Sequence, residues 1–385
     1  MSFVSEKSKK TPRSVIREMF AMQTGLEDVV SFALGEPDFT SPKHIIDATV
    51  ASFQRGETHY TPNAGIPALR EAVARSYQER GLDYKPEEIL IGSGAISVLC
   101  LACTAILDIG DEVLLPDPGW ANYSGLIMQV GAVPVPVRVK EENGFMYDVE
   151  DLRAAITPKT KMILINSPSN PTGGVASAEN LRQIADLVKE KDLYVLTDEI
   201  YHELLWSDEP YTSIASFPGM KERTLVVDGF SKKYAMTGFR LGYGAGPEEV
   251  IATMTKLLEN VLSSVNEGIQ WGGVAALTGD QSPVEEMKEQ YRRRRQIIVE
   301  GLNAIDRISC LAPMGAFYAF PNISQTGLSS RDFAIRLLKE KHTVVVPGTG
   351  FGEGGEGFVR ISYATSEENI REGLKRIAEF VASLP

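Results

Sequence analysis

The sequence is poor in sulfur ligands: among its 385 residues only Cys100, Cys103 and Cys310 are cysteines. Three thiols cannot build a disulfide framework, and the first two fall in an apolar, helix-like stretch, so buried thiols are expected. Histidine is equally scarce, and His44, His59, His202 and His342 are scattered. A zinc site needs four nitrogen or sulfur ligands at close spacing, so no metal site is expected. No apolar run approaches the length of a membrane span, and the opening "MSFVSEKSKKTPRS" lacks the apolar segment of a secretory signal. A cytoplasmic protein with no membrane partner is the expectation. A basic excess is missing too: the formal net charge is −12, which argues against a nucleic-acid surface. The one dense basic run, "YRRRRQ" from Tyr291 to Gln296, lies in a helix-like segment with an acidic front, which reads as a solvated or domain-bridging helix face.

What is present is ordinary globular composition, 43% hydrophobic and 23% charged, in a chain long enough for two domains. From about Tyr84 to Gly246, short runs rich in Val, Ile and Leu alternate with amphipathic stretches such as "SAENLRQIADLVKEKD". The runs "EILIGSG", "DEVLLPD", "VPVPVRV", "KMILINSP", "LYVLTDE", "TLVVDGFS" and "RLGYGAG" are strand candidates of a mostly parallel sheet. Beyond about Ile308 the pattern suggests a smaller α+β domain. The expected division is residues 1–45 as an N-terminal arm plus part of the small domain, 46–282 as the large domain, and 283–385 as a bridging helix and small domain. Within the polar, lysine-rich arm a short helix is expected at "RSVIREMFAMQ".

In an open parallel sheet, ligands bind beyond the carboxyl ends of the strands, so the polar residues that end apolar runs matter most. "LYVLTDEIY" ends on Asp198, followed by Glu199 and Tyr201. "KMILINSPSNPTGG" presents Asn166 and Asn170. "EILIGSGAIS" passes through Gly92, Ser93 and Gly94 into an apolar helix, which would aim free N–H groups at an anion; a turn without a ligand fits the same residues. "TLVVDGFSKKY" delivers Ser231 and Lys232, with Arg240 further on. A phosphate cradle, carboxylate, amide, phenol, lysine and arginine are the groups that pyridoxal phosphate requires.

Together with these residues, "SKKYAMTGFRLGY", "NSPSNPTGG", "TDEIY", "LGEPDF", "HYTPNAGIPALREAVA", "PDPGWANY", "GAFYAFP" and "VRISYATS" occur in an order that resembles the fold-type I pyridoxal-phosphate aminotransferases of class I and II, over essentially the whole chain. That resemblance implies a three-layer α/β large domain with a mostly parallel central sheet and a smaller α+β domain. It makes Lys232 the Schiff-base lysine and proton shuttle, its pKa lowered by its surroundings, and Asp198 the partner of the cofactor's ring nitrogen. Asn170 and Tyr201 would bond the phenolic oxygen, and Trp120 would stack on the ring. Gly94, Ala95, Ile96, Ser231 and Arg240 would hold the phosphate. Many relatives carry another hydroxyl where this chain has Gly229, so one contact would be lost. Arg360 and Gly35 would take the substrate's α-carboxylate, with Trp120 and Asn170 beside it. Tyr60 would reach the neighbouring site of a homodimer. The Asn170–Pro171 bond is expected to be cis, and Lys233 to face solvent or pair loosely.

The implied activity is amino transfer from an L-amino acid to a 2-oxo acid by a ping-pong mechanism, the alternative being a β-carbon–sulfur lyase or another fold-type I enzyme. Gly352, Gly354 and Gly357 formally satisfy a dinucleotide-binding pattern, but a strand follows them instead of a helix, so a flexible loop is expected. No helix-turn-helix pattern suggests a regulator. Relatives specialised for aspartate often carry a lysine where this chain has Ile96, which favours neutral donors, with 2-oxoglutarate as acceptor.

Overall fold

Strand β1 (Val30–Ser31) precedes the seven strands β2 (Ile89–Gly92), β3 (Glu112–Asp117), β4 (Val133–Arg138), β5 (Thr160–Asn166), β6 (Tyr194–Asp198), β7 (Thr224–Gly229) and β8 (Gly242–Ala245) in the computed structural model, which describes residues 3–5, 8, 9, 11 and 15–385. Each of the seven runs that the sequence marks as a strand becomes one, and together they form a single sheet in the order β2-β8-β7-β6-β5-β3-β4. Strand β8 runs antiparallel to both β2 and β7, whereas the pairs from β7 to β4 are parallel. Strands β2 and β7 are buried throughout, as sheets covered on both faces require, which explains their near-continuous apolar runs. Two hydrophobic clusters form the core; one contains Leu90, Leu196 and Val227, the other Ile91, Val195 and Val226. Alternation along each strand sends neighbouring side chains to opposite faces.

The helices that cover the sheet carry ordinary local signals. Ser177 caps the helix Ala178–Glu190 by accepting from the Asn180 amide, and Leu181, Ile184, Ala185, Leu187 and Val188 form its buried stripe. The smaller unit contains β9 (Tyr318–Ala319), β10 (Thr343–Val344), β11 (Val346–Pro347) and β12 (Val359–Ser362). Strands β11, β12 and β9 make an antiparallel sheet, and β10 pairs with β1. The helix Val15–Met22 matches the expected arm helix, whereas the remaining lysine-rich arm lies largely outside the described residues.

The 22-residue helix Ser282–Asn303 carries the basic run. Arg292 and Arg293 are solvated, but Arg294 is buried and grips Asp38 bidentately at 2.7 and 2.9 Å, while Arg295 donates to the Pro313 carbonyl at 2.6 Å. The glycine-rich segment after β11, expected as a flexible loop, is instead pinned: the Gly354 amide donates to Asp117 at 2.8 Å, and Gly354 and Gly355 are buried. Cys103 and Cys310 are buried as expected, whereas Cys100 is only half-buried. Among the described residues no helix is long and apolar enough to cross a membrane, and no His, Cys, Asp or Glu group could hold a metal.

Candidate active site

Register places the site. Asn166 pairs with Asp198 at the carboxyl ends of β5 and β6, and β7 ends at Gly229, three residues before Lys232. A cavity of about 450 Å³ lies beyond these ends. Asp198, Tyr201, Asn170 and Asn166 line it from one side, and Lys232, Ser231, Arg240, Ala95 and Ile96 from another. Trp120, Gly35 and Arg360 complete it, with Ile16, Arg17, Leu34, Glu36 and Thr237 at its wall.

Asp198 is buried. Tyr123 donates to its Oδ2 at 2.7 Å, and the Ile200 amide reaches Oδ1 at 3.3 Å. Burial pushes the carboxyl up to about 6, while those two hydrogen bonds act in the opposite direction. Asn166 braces the site: its amide donates to the Asp198 carbonyl at 3.1 Å, and its oxygen accepts from the Asn170 amide at 2.9 Å. The Asn170–Pro171 bond is cis, as the resemblance implies, and so are Asp117–Pro118 and Ser167–Pro168.

Lys232 donates to the Gly35 carbonyl at 2.6 Å. Burial lowers its pKa to about 8; Glu36 opposes this, and the guanidinium groups of Arg360 and Arg240 add to it. A free amine is therefore accessible near neutral pH, as a proton-transfer group requires. The Tyr201 hydroxyl lies 2.7 Å from that of Tyr318, whose ring sits 4.8 Å from the Arg360 guanidinium. Arg360 is 1% exposed. It donates to Asn170 at 3.3 Å and to the Ala33 carbonyl, but its Nε has no partner. Such a buried, orphaned donor invites an anion.

The start of the helix Ala95–Ile106 also lines the cavity, with Gly94 as its N-cap at φ +75°. A Cβ at Gly94 would meet an Arg240 nitrogen at 2.5 Å, so only glycine allows the arginine to lie across the helix start. Two guanidinium groups, a helix N-terminus, a buried carboxylate and a lysine with a lowered pKa form a donor set suited to pyridoxal phosphate plus a carboxylate substrate.

A family model described as "Aminotransferase class I and II" matches residues 27–377. The chain belongs to the class I and II aminotransferases. An aspartate aminotransferase of Pyrococcus horikoshii is 43% identical over 378 residues, covering 97% of this chain and 96% of the relative. Aromatic-amino-acid aminotransferase 2 of Thermococcus litoralis is 40% identical, with 97% of each chain covered. The solved aspartate aminotransferase of Thermus thermophilus with maleate is 40% identical, covers 98% of this chain and 100% of its own, and superposes with a TM-score of 0.94. This aminotransferase is thus a pyridoxal-phosphate-dependent transferase of nitrogenous groups, built as a fold-type I enzyme, and the lyase alternative gains no support.

Two candidates do not line the cavity of their own chain: Gly94, which caps the helix that begins at Ala95, and Tyr60. Tyr60 is 87% exposed and lines a neighbouring depression with Ser93 and Arg240. Gly229 is explained by packing: a Cβ there would come 3.0 Å from the Gly242 Cα and 3.2 Å from the Leu241 carbonyl. Lys233 corrects the sequence reading. Instead of facing solvent, it is 20% exposed and pairs with Glu203 at 2.6 Å, because the turn after β6 brings an acidic group against it. Sequence reasoning left out Tyr318, Tyr123, Arg17 and Glu36. Tyr318 and Tyr123 lie in the quoted motifs "GAFYAFP" and "PGWANY", but nothing in one-dimensional spacing reveals that their hydroxyls reach Tyr201 and Asp198.

Proposed function

We propose that Lys232 is the residue that bonds the cofactor and carries protons at the substrate Cα, in an enzyme that moves amino groups between L-amino acids and 2-oxo acids. The observation behind this reading is the convergence on one cavity of Lys232, with its pKa lowered to about 8, buried Asp198, and the orphaned Arg360 Nε. Bound pyridoxal phosphate supplies an electron sink for the pair released from Cα. Asp198 would hold the ring nitrogen, and a cation set against it would relieve the cost of burying that carboxylate. Asn170 and Tyr201 would hold the phenolic oxygen, and Trp120 would cover the ring face. Arg240, Ser231, Gly94 and the amides of Ala95 and Ile96 would take the phosphate.

Arg360 would grip the substrate α-carboxylate, with Asn170 and the Gly35 amide beside it. Lys232 would then accept the Cα proton as a free amine and return it at the far side of the transfer. Side-chain preference rests on Ile16, Leu34, Ile96 and Trp120, an apolar wall suited to aromatic or aliphatic donors. Arg17, on the same wall, is a cation that the sequence reading did not place, and it suits a dicarboxylate such as 2-oxoglutarate or aspartate. The same reading includes a cytoplasmic homodimer in which Tyr60 reaches the partner's phosphate site, and domain limits near residues 46 and 283. Lys232→Ala is the direct test: it should abolish both the visible absorbance of the cofactor-loaded protein and amino transfer. Retention of either would refute the assignment.

A further inference from the structure

Two segments carry groups that face the cavity. The end of β6 and the turn after it bear Asp198 and Tyr201, and the loop after β7 bears Ser231 and Lys232. Two contacts join the turn after β6 to β7 and its loop, the first an ion pair when His202 is protonated. His202 Nδ1 lies 2.9 Å from Asp228, and Lys233 Nζ lies 2.6 Å from Glu203. A third contact, His202 Nε2 to Glu203 at 3.6 Å, links the two pairs, so with His202 protonated the signs alternate from Asp228 through His202 and Glu203 to Lys233. None of these four side chains lines the cavity.

The chain of charges is anchored at its inner end. Asp228 is fully buried; its Oδ1 accepts from the Gly229 amide at 2.7 Å, and its Oδ2 faces Arg80 at 3.4 Å and the Tyr243 hydroxyl at 3.3 Å. Arg80 also holds buried Glu199 at 2.5 Å, a carboxylate that Ser213 meets as well. At the outer end Lys288 approaches Glu203 at 3.8 Å. Burial alone would discharge His202, yet its pKa is raised, because Asp228 and Glu203 outweigh burial and the repulsion from Arg80.

Ion pairs this deep are a poor way to gain stability, since desolvation cancels much of the attraction and apolar residues of similar volume serve as well or better. They do fix geometry, because each charge tolerates few positions for its partner. Here the geometry being fixed is that of Lys232 relative to Tyr201: Asp228 and Lys233 flank Lys232 in sequence, and His202 and Glu203 directly follow Tyr201.

We propose that Asp228, His202, Glu203 and Lys233 form a positioning clamp that registers the Lys232 loop against the Tyr201 turn. They are positioning residues, acting through Lys232 and Tyr201. The inference rests on the role of Lys232 proposed above, and the two fail differently: absence of the visible band in the wild-type holoenzyme refutes that role, whereas the clamp is judged by rates with the band intact.

The experiment compares wild-type, Lys233→Met, Lys233→Arg and Glu203→Gln holoenzymes in steady-state kinetics and in a pH titration of the visible band. Misplacement of a reacting group by a fraction of an ångström to an ångström costs rate while leaving substrate contacts alone. Lys233→Met and Glu203→Gln should therefore lower kcat by about tenfold, change KM for both substrates by less than about twofold, and shift the band's pH midpoint. Lys233→Arg should restore kcat to within about threefold, because it keeps the charge. Wild-type kcat and midpoint in both Lys233→Met and Glu203→Gln would overturn the clamp. So would parallel losses of kcat, KM and melting temperature without recovery in Lys233→Arg, since that pattern marks ordinary structural support. If Lys233→Met does not fold, the near-isosteric Glu203→Gln decides alone by the same criteria.

Discussion

Asp198 is the residue at which the physical chemistry is most exposed to test. Its pKa of about 6 in the folded chain lies above the ordinary carboxylate value near 3.9. A raised carboxyl contributes stability below the unfolded pKa, and that contribution disappears as pH rises through the folded one. The cofactor-free protein should thus lose on the order of 2–3 kcal/mol relative to Asp198→Asn between about pH 4 and pH 7. Thermal melts of the two cofactor-free proteins across that range would check this, and a constant difference would contradict it. Arg17 gives a second residue-scale prediction. Arg17→Leu should raise KM for 2-oxoglutarate and aspartate about tenfold and leave phenylalanine within about twofold. Equal effects on both substrate classes would remove Arg17 from substrate reading.

At the scale of elements, strands such as β5 and β7 were legible because burial on both faces writes itself as runs of Val, Ile and Leu. Pairing was not legible. "RLGYGAG" reads like its neighbours, yet β8 enters antiparallel between β2 and β7, since periodicity reports what a strand buries and not which strand lies beside it. The candidate site was legible for a related reason: the polar residues that terminate apolar runs are those at the sheet edge, which is how Asp198, Asn170 and Lys232 stood out. Tyr318 sits within a short strand of the smaller unit and Arg17 on a remote helix, so only folding brings them to the cavity. Lys233 was misread because its partner Glu203 belongs to another strand's turn. Gly229 illustrates how an element limits chemistry. Gly229→Ser would push a Cβ onto the β8 backbone and should cost about 1–3 kcal/mol without tightening cofactor binding. Chemical denaturation and a cofactor titration measure the two halves of that statement; tighter binding at unchanged stability would show that packing is not what excludes the hydroxyl.

At the scale of the whole molecule, Tyr60 raises the question of how many chains make a site. It projects from its own surface at 87% exposure, beside Arg240 but outside the cavity. If Tyr60 serves a partner, then mixing Lys232→Ala and Tyr60→Ala subunits creates one doubly damaged site and one intact site per hybrid. Activity should reappear on co-refolding two variants that are each impaired alone. No recovery, with hybrids demonstrated by mass, would mean that Tyr60 does not act across the interface. The hydrogen bond from the Gly354 amide to Asp117 ties the glycine-rich segment after β11 to the end of β3, and substrate held by Arg360 and Lys232 would add a second tie, because one residue comes from β12 and the other follows β7.

The antiparallel placement of β8 also sets a timetable for biosynthesis. Strand β2 is an edge strand whose one strand neighbour is β8, so residues 89–92 cannot join the sheet until residues 242–245 have been made. Closing so long a loop is slow compared with the parallel pairings of β3 to β7, which lie nearer in sequence. The start of the helix after β2 and the lysine loop before β8 are therefore expected to order together, with the β2–β8 pairing.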